Sequence, residues 1–578
     1  MKINNSRYLR ISLIGWAFAL FYLIIAGRAV YLQVHCSNEL SKKAADQYEK
    51  TLTIQGKRGV IYDRNRREMA VSIDVVSSAA YPGRMQNTDT AATSEALAKV
   101  LNINSRQLRL KLISKRSFIW LKRQVTPDEE KSLRSLGIEG IDFIPEHSRF
   151  YPNRSLGSQI IGFTGLDGHG MEGIEFYYDS YLKGAERKIT VLKDARGKKF
   201  EEEQDKQNDY SGNNVILTID RTIQYITEKI LKETVETFSA KSGMAVVMDP
   251  GTGAVLALAN VPLFNPNSYK NFSREVWRNR CITDAFEPGS TMKIFSAAAA
   301  IESGGCTPDT IFYCEKGKYR IGNDTVHDTN SHGWLTLSKI IKYSSNIGAM
   351  KMSEMIGPEA MYNTLKKFGF GEKTGMDFPG ETSGSLAPYK QWSKLSAGTI
   401  AFGHGISASA IQMASALSAI ANKGVLMKPY IVEAVTNRNG EILRQFAPTK
   451  VRNAISEQTA ETIKNMMIAV TEEGGTGIRA ALEGYTVCGK TGTSRKLNKK
   501  GLYSREAYLA SFVGFAPVEA PRIAVVVIID EPKGQQYGGL VAAPAFKQIV
   551  QEIFNYLNIP PKTDTERLTA ERGNRING

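Results

Sequence analysis

Histidine and cysteine are scarce in this chain. Its 578 residues include six histidines and five cysteines. The cysteines are too few and too scattered for a disulfide framework or a cluster of metal ligands, so we expect no metal and no cofactor. Two alternatives stay open for the thiols. Either Cys306 and Cys314, eight residues apart in a loop, form a disulfide, or all five are reduced and take no part in chemistry.

Acidic residues are also in deficit. The chain has 74 Lys and Arg against 58 Asp and Glu, a net charge of +16. Nucleic-acid-binding proteins often have such a balance, but the sequence contains no zinc, helix-turn-helix or aromatic-and-basic RNA motif. We therefore expect no nucleic-acid partner. The charge predicts weak, unspecific attraction to anionic lipid headgroups and anionic polymers.

Long apolar stretches are absent except for one near the N-terminus. Residues 11–34 are apolar apart from three positions, which is enough to cross about 30 Å of hydrocarbon as a helix. Lys2, Arg7 and Arg10 precede the stretch without an acidic residue among them. The positive-inside rule therefore places residues 1–10 in the cytoplasm and the chain after the helix on the outer face of the membrane.

Two other interpretations of this stretch are a cleaved secretory signal and a lipoprotein signal that ends at Cys36. The stretch exceeds the roughly 7–15 residues usual for the apolar part of a signal, and no small-x-small site follows closely. His35 is also a poor neighbour for a lipidated cysteine. We expect an uncleaved anchor in the cytoplasmic membrane.

Three short motifs, in one order along the chain, carry the chemistry. They are Ser290-Thr291-Met292-Lys293, Ser344-Ser345-Asn346 and Lys490-Thr491-Gly492-Thr493. A serine with a lysine three residues later, a second Ser/Asn pair and a lysine-bearing strand are the parts needed to activate a hydroxyl for acyl transfer without histidine. Together they predict a single active site.

Each motif alone is weak, because the same patterns recur elsewhere. Decoy matches occur at Ser180–Lys183, Ser211–Asn213, Lys241–Gly243 and Lys373–Gly375. Context separates the two sets. Ser290 opens an Ala-rich segment, 291–302, that is free of Gly and Pro and predicts a helix. Ser344 and Asn346 lie at the junction of two segments with helical periodicity.

The context of Lys490 is a strand. A polar loop follows it, and then the strand patterns 508–515 and 522–529. A lysine on a strand that pairs with its sequence neighbour makes a good wall for a site, and Gly492 permits close approach of a ligand to the backbone.

Further segments accompany the three motifs. They are Arg58–Arg64, Arg149–Pro152, Gly170–Glu175, Asp249–Gly253, Tyr537–Gly539 and Ala542–Pro544. With the motifs, they make the chain resemble the class B penicillin-binding proteins, which are peptidoglycan D,D-transpeptidases, and most of all their FtsI-like division type. Arg66 departs from the family pattern, which usually carries glycine there, and this bears on the local turn.

The fold that the resemblance implies is an α/β sandwich of the penicillin-binding transpeptidase (serine β-lactamase-like) type, with an antiparallel sheet. Strand patterns on both sides of a helical middle favour the same architecture. The first two, at 243–248 and 254–259, predict a hairpin around the turn Asp249–Gly253. The charged stretch 198–214 predicts a linker or a solvated hairpin. A non-catalytic pedestal of the dimerisation type is expected at 35–212, the transpeptidase domain at 213–558, and a polar, disordered tail at 559–578. Within the pedestal, periodicity predicts helices over 91–100 and 107–136, and a last helix of the catalytic domain is predicted over 545–557.

The residues and the resemblance together assign roles to the site. Ser290 is the predicted nucleophile. Lys293 is its base, provided that burial and the charge of Lys490 lower a pKa that is normally about 10.4. Ser344 is expected to relay a proton to the leaving amine and Asn346 to hold a substrate amide. The donor carboxylate is expected to bind the strand, at Lys490, Thr491, Gly492 and Thr493, and the backbone N–H groups of Ser290 and Thr493 to form the oxyanion hole.

The expected partners follow from the resemblance: peptidoglycan stem peptides, β-lactams, the membrane, a membrane-embedded glycan polymerase and divisome proteins. Alternatives that remain are an elongation-specific class B transpeptidase, a D,D-carboxypeptidase, a serine β-lactamase and, as a non-enzyme, a β-lactam sensor module. Two side-chain roles also stay open. The first concerns Arg58, Asp63 and Arg64, which either bind a ligand or, as we favour, stabilise an interface within the protein. The second concerns His404, which either has a structural role or lines the substrate cleft.

Overall fold

The computed structural model describes residues 5–40, 49–85, 89–114, 116, 118–193, 199–201, 210–322, 324–497 and 501–562. The chain divides into two compact units. The first combines residues 1–56 with 185–210, and the second combines 57–184 with 211–578. The functional motifs all lie in the second unit.

The helices and strands are numbered here in chain order. The helices are α1 (Asn5–Val30), α2 (Thr90–Leu101), α3 (Ser105–Leu112), α4 (Pro127–Ser135), α5 (Ser158–Ile161), α6 (Gly173–Tyr177), α7 (Asp179–Leu182), α8 (Arg221–Thr237), α9 (Arg274–Trp277), α10 (Arg280–Thr283), α11 (Lys293–Glu302), α12 (Leu337–Tyr343), α13 (Asn346–Lys367), α14 (Lys394–Ala401), α15 (Ala410–Ala421), α16 (Glu457–Thr471) and α17 (Gly538–Tyr556). The strands are β1 (Glu49–Gln55), β2 (Ile61–Tyr62), β3 (Glu68–Ala80), β4 (Ile119–Val125), β5 (Ile141–Phe150), β6 (Glu186–Lys193), β7 (Lys199–Glu201), β8 (Asn214–Leu217), β9 (Ser242–Met248), β10 (Val255–Val261), β11 (Ile311–Tyr313), β12 (Lys318–Ile321), β13 (Asp324–His327), β14 (Trp334–Thr336), β15 (Val425–Met427), β16 (Val432–Thr436), β17 (Ile442–Gln445), β18 (Lys450–Asn453), β19 (Cys488–Leu497), β20 (Tyr503–Ala516) and β21 (Ile523–Asp530).

The first unit contains the apolar helix and a small sheet. Helix α1 continues into a π-helical turn, Tyr31–His35, and the span Tyr8–His35 is long and apolar enough to cross a membrane. Its large apolar side chains are exposed to the surroundings, as a lipid-facing helix requires. The predicted anchor at 11–34 lies within it. Strands β1, β6 and β7 form a three-stranded sheet with antiparallel pairings.

Two sequence predictions fall largely on residues outside the described ranges. Of the expected polar tail, 559–578, only residues up to 562 are described. The charged stretch near 198–214, expected to be a linker or a solvated hairpin, is described only in part. Its residues 199–201 form β7, which pairs with β6.

In the second unit, the segments predicted as pedestal and as catalytic domain share one sheet. Its order is β17-β16-β8-β2-β3-β4, with β5 paired to β3. The link is the parallel pairing of β2 with β8, in which Ile61 stands opposite Val215. Val60 N and Asn214 Oδ1 add a hydrogen bond of 2.8 Å next to it. Backbone pairing and burial are therefore continuous across the predicted boundary near residue 212.

The single helical stretch predicted over 107–136 is wrong in its middle. The structure has α3, then strand β4, then α4. In β4, buried Ile119, Leu121 and Val125 alternate with less buried neighbours, which is the period of a strand rather than a helix. Helix α4 starts afresh, because Thr126 caps it in a reciprocal capping box with Glu129.

A buried ion-pair network holds this region together. Glu175 has no exposed surface, and its carboxylate accepts from Arg58 Nε and Arg149 Nε, each at 2.6 Å. Arg58 also pairs with Asp179 at 2.5 Å. These contacts support the interface role expected for the Arg58 segment.

The chain turns directly after Asp63, although Arg66 stands where the family usually has glycine. Arg66 adopts a left-handed φ of 61°, a region that favours glycine. Asp63 stabilises the turn, because its Oδ1 accepts from the backbone N–H groups of Asn65 and Arg67 at 2.9 and 2.8 Å. Its Oδ2 also accepts from Arg221 N at the start of α8. The side chain of Asp63 therefore acts in structure rather than in ligand binding.

The catalytic sheet is five-stranded and antiparallel, in the order β10-β9-β21-β20-β19. It confirms the predicted hairpin of β9 and β10 and the two predicted strands after Lys490. All residues of β21 are buried, since helices cover both faces. Val525 and Val527 pack with Phe546 of α17 in one core, while Val526 and Ile528 belong to the other core, which includes α15. The sandwich is thus α/β/α.

The predicted start of the last helix also needs correction. The last helix begins at Gly538 rather than at 545, and Pro544 lies inside it, where sequence rules favour a boundary. The early start is possible because Gly538 has no side chain: a Cβ there would lie 2.2 Å from Ser511 O. In addition, Cys306 and Cys314 are both buried free thiols, so the alternative of a disulfide between them is not realised.

We expect Glu175→Gln to destabilise the protein by about 3–5 kcal/mol, because the change leaves two buried guanidinium groups without their carboxylate. The measurement is chemical or thermal unfolding. Glu130→Gln is the matched control: its pair with Arg134 is exposed on one helix, and the loss should stay below about 0.5 kcal/mol. Equal effects of both substitutions would contradict the assignment.

Candidate active site

Ser290 lies where a tight turn enters a buried helix. Residues Gly289–Met292 form a single 3₁₀ turn that continues directly into α11. The spacing of three residues brings Lys293 Nζ to 3.0 Å from Ser290 Oγ, as a helical geometry predicts. Ser290 keeps part of its surface exposed, whereas Lys293 has none. The hydroxyl is accessible and the amine behind it is not.

The second motif lies at the break between α12 and α13, as predicted. Ser344 has a left-handed φ of 62°, and Ser345 caps α13 by accepting from Gly348 N. The break turns Ser344 and Asn346 toward the same amine. Lys293 Nζ donates to Ser344 O at 2.6 Å and to Asn346 Oδ1 at 2.7 Å. Asn346 Nδ2 in turn donates to His327 O at 2.9 Å, so its amide already holds Lys293 in place.

The third motif lies on β19 and approaches Ser344 from the other side. Lys490 Nζ is 2.9 Å from Ser344 Oγ and is fully buried. Thr491 Oγ1 contacts Thr476 Oγ1 at 3.1 Å, and Thr493 Oγ1 accepts from Gly538 N at 3.1 Å. Ser344 therefore lies between the two lysines.

Close packing within the protein requires glycine at position 492. A Cβ on Gly492 would lie 2.3 Å from Ser511 Oγ and 2.8 Å from Thr291 Cγ2. The missing side chain lets β19 pack against the turn that carries Ser290. The expected approach of a ligand to this backbone stays a prediction.

The contacts of Lys293 Nζ define what the amine does. Ser344 O and Asn346 Oδ1 are acceptors only, so they take two N–H groups. The remaining position faces Ser290 Oγ at 3.0 Å, with Ser344 Oγ slightly farther away at 3.2 Å. When Lys293 is charged, this position holds a third proton; when it is neutral, it holds the lone pair that can remove the proton of Ser290.

Burial shifts both lysines toward the neutral state. It lowers the pKa of Lys293 to about 7, against an opposing effect of the Asp328 carboxylate. Burial also lowers the pKa of Lys490 well below its ordinary value, with the charge of Lys293 acting in the same direction. The expected desolvation of Lys293 is therefore present. The expected effect of one lysine charge on the other is found at Lys490.

Two residues of the site were missed in the sequence. Asp328 accepts from Ser345 Oγ at 2.5 Å and from the backbone N–H groups of Asn346 and Ile347 at 2.5 and 3.0 Å. It thereby fixes the second motif. Thr476 contacts Thr491 as described above. Neither residue lies in a recognisable pattern, so only the fold reveals them.

Residues of all three motifs line an open cleft of about 940 Å³. Its lining includes Ser290, Ser344, Asn346, Thr491 and Thr493. His404 also lines it and packs its ring edge-on against Phe402, so both interpretations of His404 hold. None of the four decoy motifs contributes to this cleft among the residues that the structure describes.

Comparisons with known proteins agree with this geometry. Residues 243–551 match the penicillin-binding protein transpeptidase domain, and residues 53–217 match the penicillin-binding protein dimerisation domain. The chain belongs to the class B penicillin-binding protein transpeptidases. It is similar to the probable peptidoglycan D,D-transpeptidase PenA of Neisseria gonorrhoeae, with 36% identity over 97% of this chain and 94% of that protein. It is also similar to the peptidoglycan D,D-transpeptidase FtsI of Escherichia coli, with 33% identity over 95% of this chain and 93% of that protein.

Solved structures of the family are similar as well. Penicillin-binding protein 3 of Mycobacterium tuberculosis in complex with aztreonam has a TM-score of 0.68 and 28% identity, covering 89% of this chain and 98% of its own. A peptidoglycan synthetase of Bifidobacterium adolescentis has a TM-score of 0.71 and 26% identity, with the same coverage. The structural similarity extends over the α/β/α sandwich, which positions the three motifs.

Labelled penicillin should form one covalent adduct, on Ser290. Ser290→Ala should abolish the adduct without unfolding the protein. The residue is partly exposed, and among the described residues its hydroxyl hydrogen-bonds with Lys293 alone. Mass spectrometry of the labelled protein is the measurement. Ser180→Ala, which removes the decoy serine, should leave labelling unchanged. An adduct that persists in Ser290→Ala would show that the nucleophile is another residue.

The rate of acylation by penicillin should rise with pH through about 7, where Lys293 becomes neutral, and then level off. Below that pH, the rate should fall about tenfold per unit, because the protonated amine has no lone pair. Lys293→Arg should abolish acylation, since a guanidinium stays protonated. Lys490→Arg places a permanent charge where the donor carboxylate is expected, and its different shape should mainly weaken donor binding. Stopped-flow acylation rates over pH 5–9 test this. Equal rate losses in both variants with unchanged donor binding would refute the division of roles.

Proposed function

We propose that this chain is a peptidoglycan D,D-transpeptidase that cross-links stem peptides during septal wall synthesis. The observation that carries the proposal is the convergence of two buried lysines on Ser290 and Ser344. An accessible hydroxyl with a neutral amine 3.0 Å away is suited to attack a peptide carbonyl and hold the acyl group as an ester.

The proposed reaction assigns each residue a step. Lys293 removes the proton of Ser290, whose Oγ attacks the D-Ala-D-Ala carbonyl. The backbone N–H groups of Ser290 and Thr493 stabilise the oxyanion, an effect worth about 10²- to 10³-fold per donor. Ser344, which bridges the two amines at 3.2 and 2.9 Å, passes a proton to the leaving D-alanine.

The other residues of the three motifs hold the substrates in this proposal. Lys490, Thr491 and Thr493 bind the terminal carboxylate of the donor. Gly492 keeps their strand close to the nucleophile turn. Asn346 orients Lys293 through its Oδ1 and contacts the donor peptide from the cleft side.

The setting of the reaction is part of the proposal. Residues 1–10 lie in the cytoplasm, 11–34 span the membrane, 35–212 form the pedestal and 213–558 the catalytic domain, which faces the outside. A membrane-embedded glycan polymerase and divisome proteins are the proposed partners, since a cross-linking enzyme needs newly made strands beside it. The likeness to FtsI supports division. The chain is also similar to the Stage V sporulation protein D of Bacillus subtilis, with 33% identity over 97% of this chain. The name of that relative refers to sporulation rather than to division.

A single assay separates transpeptidase from carboxypeptidase. The purified full-length chain is given a D-Ala-D-Ala stem-peptide donor with and without a peptide that carries a free side-chain amine, and the products are identified by mass spectrometry. We expect a cross-linked dimer with the amine and slow hydrolysis without it, and neither product with Ser290→Ala. Hydrolysed donor as the sole product in both cases would favour a carboxypeptidase.

A further inference from the structure

A chain of three side chains beside the nucleophile turn takes no part in the acylation chemistry described above. Tyr503 Oη lies 3.2 and 3.1 Å from the two carboxylate oxygens of Glu287. His404 Nδ1 lies 3.2 Å from the same Tyr503 Oη and 3.4 Å from Glu287 Oε2. The carboxylate also accepts from Gly405 N at 2.9 Å, which fixes the loop that carries the histidine.

The hydrogen-bonded group of His404, Tyr503 and Glu287 lies close to Ser290. Glu287 precedes the nucleophile by three residues. Gly289 N donates to Gly403 O at 3.2 Å, and a Cβ on Gly403 would lie 2.1 Å from Gly289 O. His404, Tyr503 and Ser290 line the same cleft. The histidine loop therefore packs directly on the backbone of the nucleophile turn.

The hydrogen-bond partners favour a proton on Nδ1 of His404. A carboxylate only accepts, so Tyr503 donates its single hydroxyl proton to Glu287. Tyr503 Oη then accepts from His404 Nδ1–H. This leaves the lone pair on Nε2, which has no hydrogen-bond partner among the residues that the structure describes. The side chain is 27% exposed and lines the cleft.

The surroundings favour a neutral imidazole. Burial lowers the pKa of His404, Glu287 opposes this, and the positive charges of Lys293 and Arg495 act with burial. Tyr503 faces it as a neutral phenol, because burial and Glu287 raise the pKa of Tyr503 to about 12. At neutral pH, His404 is therefore a base with a free lone pair, and it lines the cleft that contains the nucleophile.

Transpeptidation needs such a base in its second step. A side-chain amine has a pKa of about 10.4 and reaches the site as an ammonium, which has no lone pair to attack the ester. We propose that His404, oriented by Tyr503 and Glu287, forms the subsite that receives the primary amine of the acyl acceptor and removes its extra proton. This inference rests on the transpeptidase function proposed above.

The step balances as follows. The acceptor ammonium gives one proton to His404 Nε2, and the free amine attacks the ester carbonyl of the acyl-enzyme. A C–N bond forms, and the bond from the acyl carbon to Ser290 Oγ breaks. The second proton of the attacking nitrogen passes through Ser344 and Lys293 to Ser290 Oγ, which becomes a hydroxyl again. His404 releases its proton to water.

The test is the ratio of aminolysis to hydrolysis of the acyl-enzyme. The full-length protein is given a thioester analogue of the stem-peptide donor and an acetylated peptide with one free lysine amine. His404→Gln should lower the ratio of cross-linked to hydrolysed product by about tenfold or more at pH 7, within the range of general-base effects. The deficit should close near pH 10, where the amine is already free. Tyr503→Phe keeps the ring but removes the hydroxyl that links His404 to Glu287. It should also lower this ratio.

Three comparisons make the outcome decisive. Acylation by penicillin and the rate of thioester hydrolysis should change less than twofold in His404→Gln, which also shows that the variant is folded. His169→Gln, which removes an exposed imidazole elsewhere in the second unit, should leave the ratio unchanged. An unchanged ratio in His404→Gln, an equal loss of acylation, or a deficit that persists at pH 10 would each overturn the proposal. Absence of acylation in the unmodified protein would instead refute the proposed function itself.

Discussion

Two lysine amines lie side by side beneath the cleft without any exposed surface, and this burial governs the chemistry above them. A charged amine in such a place is costly unless oxygen atoms surround it. Lys293 contacts Ser290 Oγ, Ser344 O, Ser344 Oγ and Asn346 Oδ1, and Lys490 contacts Ser344 Oγ and Thr491 O. The two amines repel each other when both are charged, and the charge of Lys293 lowers the pKa of Lys490. In the reaction proposed above, a donor carboxylate at Lys490 favours the proton on that amine and leaves Lys293 neutral as the base.

The positions of the amines depend on three segments that are far apart in the chain. Helix α11 carries Lys293, the α12–α13 break carries Ser344 and Asn346, and β19 carries Lys490. Close backbone contacts lock them together. Gly492 faces Ser511 and Thr291, and Gly403 faces Gly289. A side chain at these glycines would push β19 or the histidine loop away from Ser290 by a distance that acyl transfer does not tolerate.

The shared sheet extends this rigidity beyond the site. Because β2 pairs with β8 and β8 with β16, the segment matched by the dimerisation family and the segment matched by the transpeptidase family are continuous in backbone hydrogen bonding. The buried pairs of Glu175 with Arg58 and Arg149 add polar contacts that are both lost if Glu175 is removed.

The sequence by itself determined the local features: the apolar anchor, the three motifs, the helix after Ser290, the break at Ser344 and the hairpin of β9 and β10. Each of these has a short-range cause, such as an apolar run, a capping residue or a turn signal. Only the tertiary structure decided that Asp328 fixes the second motif, that His404 meets Tyr503 and Glu287, and that the pedestal and catalytic segments share a sheet. It also placed a strand at Ile119–Val125 and began the last helix at Gly538. The contact of Tyr503 with Glu287, for example, joins residues 216 positions apart, and contacts over that separation leave no periodic pattern in the sequence.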